Sequence, residues 1–459
     1  MLECRMAYNF LRGDRDQSFL LPPDLRDWLP EGHLAWFTLD VVDQLDLAPF
    51  LRCYRADGHG HPAYDPTTLL AVLLYAYCIG VRSSRQIERR CIEDVAFRVL
   101  AGNQAPDHVT IARFRARHQQ ALAGFLVESL KLCAAAGMVK VGTVALDGTK
   151  LAANAADKAN RTQERLEAEV AEILRQAAET DQREDEQLGH ACGDELPPAL
   201  ASKAGRLARL RQAKARLEAE AAAREQAYQQ RVAAHAAAAA AKGRTPRTLK
   251  RRPQEAPNPE AVANVTDPDS RFLHTRNGSV QGYNAQAVTT MHQLVVAAEL
   301  TGETNDIHQL EPMLGATATT LAAAGINERP EAALADSGYW SIDNLTLPNA
   351  PELLIPPAKH GRQGKPRKDG KPSASRSDGL RQAMKAKLAS DDGKARYAKR
   401  RETVEPVFGQ IKEQQDARRF MRRGMAACAA EWKLLCGTHN LLKLWRHTAT
   451  QQAARPATT

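Results

Sequence analysis

The chain has 459 residues, 43% hydrophobic and 25% charged, with eight cysteines and a formal net charge of +9. That length leaves room for two or three domains, each with its own core. The cysteines form no C-x-x-C pair and so signal neither a zinc knuckle nor a disulfide framework. No apolar run approaches the ~18 residues of a membrane span, so a reducing, cytoplasmic setting is expected. The charge is uneven: between Lys359 and Arg423, 20 Lys and Arg stand against 8 Asp and Glu. Such a block reads as a surface for a polyanion, nucleic acid above all, or as a solvated basic loop.

Residues 1–135 read as a helical domain. In "AYDPTTLLAVLLYAYCIG", Asp65 is an N-cap and Pro66 the first helical residue, and the run that follows is apolar on nearly all sides, as a central core helix requires. Two further helical patterns follow, "RSSRQIERRCIEDVAFRVLAG" and "APDHVTIARFRARH", the second capped by Asp107. Arg113, Arg115 and Arg117 decorate it. The pair resembles a helix-turn-helix whose arginines meet phosphates or base edges, and it equally suits a plain bundle with a charged outer face.

From Val139 the texture turns β-branched and alternating. "VKVGTVALDGTK" predicts a strand ending on Asp147-Gly148, and "EAALAD" a second strand ending on Asp336. Between them, residues 159–262 read as a helical hairpin inserted into the domain, closed by the Pro-rich linker "GRTPRTLKRRPQEAPNPE". "QGYNAQAVTT" and "LVVAAELTG" make a β-hairpin, a helix covers Asp306 to about Ala323, "PELLIPP" is a strand, and helices run from about Tyr397 to Trp445. This order predicts one α/β catalytic domain, residues 139–158 and 263–446, with a disordered tail at 447–459.

Two aspartates at the ends of neighbouring strands repel unless a cation lies between them or one is protonated. Oxygen ligands without a Cys/His cluster favour Mg²⁺ or Mn²⁺, and such ions suit in-line displacement at a phosphodiester. Either aspartate alone is a common turn residue. A third acid comes from "YAKRRETVEPVFGQIKEQ". Val404, Val407, Phe408 and Ile411 define a buried stripe, Arg401, Glu405 and Lys412 line its border, and Glu402 points away. Glu405 is therefore the expected third ligand, provided that the helix continues through Pro406.

"VALDGTKLAANA", "RNGSVQGYNAQAV", "NDIHQLEPML", "ALADSGYW" and "RRETVEPVFGQIKE" together resemble the blocks of DDE transposases of bacterial insertion sequences. The helical N-terminus is similar to theirs as well. The resemblance implies an RNase H-like catalytic domain that nicks DNA at transposon ends and joins the freed 3′-hydroxyl to target DNA. It implies Asp147, Asp336 and Glu405 as catalytic ligands of Mg²⁺ or Mn²⁺, with double-stranded DNA as partner and a homodimer in the DNA complex. The family's Y-x2-R-x3-E-x6-K block matches from Arg401 through Glu405 to Lys412, with Tyr397 one residue out of step. Arg401 and Lys412 are then expected at phosphates, and Tyr339 and Trp340 either stack on an unpaired base or pack a helix on the sheet. A nuclease or resolvase without strand transfer, and a catalytically silent DNA-binding derivative, are the competing functions.

Overall fold

The computed structural model describes residues 24–54, 62–188, 198–241, 261–275, 278–357 and 376–453. Helices come first: α1 (Leu34–Gln44), α2 (Ala48–Leu51), α3 (Pro66–Cys78), α4 (Ser84–Glu93), α5 (Val95–Leu100), α6 (His108–Arg117) and α7 (Gln119–Ala135). Asp65 accepts a hydrogen bond from the Thr67 amide at 2.8 Å, and every residue from Leu69 to Cys78 is buried, so α3 is the core helix that its sequence predicts. The next pattern breaks in two, because the Asp94 carboxylate takes the Ala96 amide at 2.9 Å and starts α5 where α4 ends.

The strands follow as β1 (Thr143–Ala152), β2 (Asn160–Thr162), then helices α8 (Gln163–Leu188) and α9 (Pro198–Ala240), β3 (Val262–Asn264), β4 (Arg271–Thr275), β5 (Gly278–Thr290) and β6 (Val295–Thr301). The chain continues through α10 (Leu310–Ala323), β7 (Ala332–Leu334), α11 (Ile342–Leu345), β8 (Glu352–Leu354), α12 (Arg376–Ala389), α13 (Asp391–Glu413) and α14 (Met425–Ala453). The expected hairpin insertion is α8 with α9. Leu166, Leu210, Ala213, Leu217 and Ala263 give it a small core of its own, and β2 pairs with β3 across its ends. The linker expected at 243–260 and the first part of the basic block, residues 358–375, lie outside the described residues. Residues 447–453, expected in a disordered tail, instead continue α14.

In the sheet, β1 is antiparallel to β5 and parallel to β7, β7 is parallel to β8, and the far edge of β5 carries β4 and β6. Its two faces are buried by different helices, as period-two alternation requires. Leu146, Val288 and Ala333 pack with Leu310 and Met313 of α10. Ala145, Ala287 and Leu334 share a core with Val404, Val407 and Trp432 of α13 and α14.

That second core also contains Leu70, Phe97, Phe125 and Leu126 of the N-terminal helices. The helical region and the sheet are one packing unit. Gly437 makes the closest approach possible: a Cβ there would come within 2.8 Å of the Phe125 ring and 3.2 Å of the Leu126 backbone. A buried polar network reinforces the junction. Arg82, only 4% exposed, donates to Glu431 at 3.0 Å and to the carbonyls of Asp416 and Arg419, while Glu431 also takes the amides of Met421 and Arg422. The loop after α13 is thereby held against β1, where the Phe420 amide donates to the Ala152 carbonyl at 2.8 Å. Glu431→Gln leaves the Arg82 charge buried without its counter-ion and is expected to cost about 3–5 kcal/mol. The measurement is a lower urea midpoint at unchanged slope; a midpoint equal to wild type would show that the network contributes nothing.

Helix α13 runs unbroken through Pro406. Proline offers no N–H to the carbonyl four residues earlier, and the Gln293 side-chain amide fills that vacancy, donating to the Glu402 carbonyl at 2.7 Å. Gln293 reaches it from the turn between β5 and β6, in the left-handed region at φ 63°.

Candidate active site

β1 does not stop at Asp147-Gly148; it runs on to Ala152, and Asp147 lies mid-strand opposite Ala287. The Asp-Gly pair that suggested a turn has another reason to be there. A Cβ on Gly148 would overlap the Gln286 amide and come 2.7 Å from Asp306 Oδ1 and 2.9 Å from Asn284 Oδ1, so only glycine lets that cluster close onto the strand. β7 does stop early, at Leu334 in register with Ala145. Two residues on, Asp336 arrives beside Asp147 and caps a 3-10 turn by accepting from the Gly338 amide at 2.7 Å.

Burial pushes the Asp147 carboxyl up to about 6; Arg400 opposes the shift, and Asp336 and Asp306 add to it. Asp147 accepts from its neighbour's amide, Gly148, at 2.9 Å and from Arg400 at 2.7 Å. Asp306, to which the sequence reading gave no role, is therefore a third acid in the same field. Its Oδ1 takes the side-chain amides of Asn284 and Gln286, both at 2.7 Å, and lies 3.7 Å from Lys150 Nζ. A sequence signal existed: Asn284 and Gln286 alternate with Tyr283, Ala285 and Ala287 in β5, and buried amides there need polar partners. Lys412 Nζ reaches Thr149 Oγ1 at 2.5 Å, and burial lowers its amine, as it does that of Lys150.

On α13 the stripe of Val404, Val407, Phe408 and Ile411 is buried as expected. Glu405 borders it with its side chain 54% exposed, 3.7 Å from Arg400, and Glu402 is exposed. The arginine at the acids is Arg400, missed by the sequence reading; Arg401 is exposed to solvent. Arg400 lies in step with Tyr397, whose hydroxyl donates to the Ala335 carbonyl at 3.3 Å. Among the described residues, no three acidic, His or Cys side chains are gathered tightly enough to hold a metal ion as they stand.

Two more expectations are corrected. Tyr339 is fully buried and donates to Gln286, so it packs the sheet and offers no face to a base; Trp340 is half-buried against Arg381. Arg115 turns inward, donating to the Arg82 carbonyl at 2.8 Å and to Ser84, whereas Arg113 and Arg117 are exposed, the latter over the Tyr54 ring.

A transposase-domain family model (DUF772) matches residues 23–117, the helices from the first turn to α6. A transposase DDE-domain model matches residues 363–445, which include α13 with Arg400, Glu405 and Lys412. The two matches together support a DDE transposase of an insertion sequence. No curated protein and no solved structure matches it. In this transposase Asp147, Asp306 and Asp336 fall between the two matched stretches, so their place in the site rests on the geometry above. No helix among the described residues of the transposase is long and apolar enough to cross a membrane.

Proposed function

We infer that this chain is an active transposase that cleaves DNA at the ends of an insertion sequence and joins the freed 3′-hydroxyl to target DNA, using a divalent cation held at Asp147 and Asp336. The observation that carries this reading is that Asp336, two residues past the end of β7, lies near enough to Asp147 on the neighbouring parallel strand β1 to raise its carboxyl. The order of β6, β5, β1, β7 and β8, antiparallel on one side of β1 and parallel on the other, supports an RNase H-like catalytic domain.

The donor set suits Mg²⁺ or Mn²⁺. All the candidate ligands are carboxylate oxygens, and Mg²⁺ is commonly held by one or two carboxylates with the substrate's phosphates and water completing its shell. Asp147 and Asp336 would hold it together with Glu405 from α13. When bound, the cation would polarise the scissile phosphate and favour the ionised form of the attacking hydroxyl. The protein's own groups position the DNA. Lys412 and Lys150 flank Asp147, and Arg418, Arg419 and Arg423, carried on the loop clamped to β1, are exposed to neutralise phosphates. Arg113 and Arg117 extend that surface on α6, and a homodimer would bring two such sites to the two transposon ends.

The test is a pre-cleaved end oligonucleotide offered with a supercoiled plasmid and Mg²⁺. Covalently joined product is expected, and chelation should remove it. Nicked plasmid without joined product identifies a nuclease instead.

A further inference from the structure

Arg400 is nine-tenths buried, yet its guanidinium is under-used. One nitrogen donates to Asp147 at 2.7 Å, another stands 3.7 Å from Glu405, and Nε has no partner. A guanidinium brings five N–H donors, and leaving buried donors unpaired is unfavourable. Its charge stands between the two carboxylates, one on β1 and one on α13, that the proposed cation must bridge. We propose that Arg400 is a resident counter-ion: in the DNA-free protein it occupies the space between Asp147 and Glu405, and a divalent cation can bind there only by displacing it.

The inference rests on the metal-site reading above. A monovalent guanidinium and a divalent cation cannot share Asp147 at a few Å without strong repulsion, so the resident charge sets the threshold for loading. It also accounts for the outward Glu405, which pairs loosely with Arg400 rather than turning to Asp147. An arriving DNA phosphate offers the planar guanidinium two acceptor oxygens for a bidentate pair, and the site then opens to the cation when substrate is present.

Titration calorimetry of Mn²⁺ into the DNA-free full chain tests this. Arg400→Gln should tighten binding at least about tenfold, whereas Arg400→Lys, which keeps the charge, should stay within about threefold of wild type. Arg400→Met retains the buried stem without the charge and carries the test if Arg400→Gln loses its near-ultraviolet circular dichroism. Affinity unchanged or weaker in the folded, uncharged variant overturns the counter-ion proposal. Adding Asp147→Asn separates the two readings. If it abolishes binding while Arg400→Gln has no effect, the metal site stands and the counter-ion falls; binding indifferent to both substitutions overturns both.

Discussion

Asp147→Asn, or Asp336→Asn, is expected to lower Mg²⁺-dependent cleavage of transposon-end DNA by at least about 10³-fold, equivalent to about 4 kcal/mol of barrier, with DNA affinity within a few-fold of wild type. The loss should not come from unfolding. The folded Asp147 carboxyl is raised from 3.8 to about 6, so the stability that it contributes is present below 3.8 and lost as pH rises through 6. At neutral pH its charge is a cost to the fold, which asparagine removes while still offering Arg400 an acceptor. Cleavage by gel assay and affinity by filter binding, measured on the same preparations, decide the matter. Nicking at the wild-type rate by either variant would end the metal-site reading.

The second large effect separates two glutamates three residues apart. Glu405→Gln should reduce cleavage by at least about 10²-fold, because it removes the carboxylate that α13 can bring to the pair of aspartates. Glu402→Gln should leave the rate within about twofold, since the Glu402 side chain is exposed and it is the Glu402 carbonyl that Gln293 engages. The contrast depends on the helix phase through Pro406, which that same hydrogen bond secures. A dead Glu402→Gln beside an active Glu405→Gln would refute the assignment.

Much of this was legible in the sequence because local chemistry and tertiary packing agree. Asp65-Pro66 starts the central helix, and the Val404-to-Ile411 stripe is buried as periodicity predicts. The misses share a cause, in that long-range packing chose differently from local propensity. Asp147-Gly148 looks like a turn because Asp-Gly often is one, but the glycine serves a cluster of amides and Asp306 contributed from distant segments. Arginines at alternate positions of a helix point to nearly opposite sides, so Arg113, Arg115 and Arg117 could not all face DNA, and the middle one serves the fold. Arg400 was overlooked for Arg401 because Arg401 falls on the border in step with Glu405, whereas Arg400 lies one turn and Tyr397 two turns before Val404, on the buried stripe itself, where a charge was not expected.

The two recognised stretches of this chain, the first helices and α12 to α14, are neighbours within a single core. A cut at residue 136 would strip α14 of the partner pressed against Gly437 and expose a wide apolar face to water. Among the described residues, the segment with a core of its own is the α8–α9 hairpin, which leaves and re-enters through the paired ends of β2 and β3. The modular part of the molecule, the piece that evolution or an engineer can exchange without reopening the rest, therefore lies within the stretch between the two family matches.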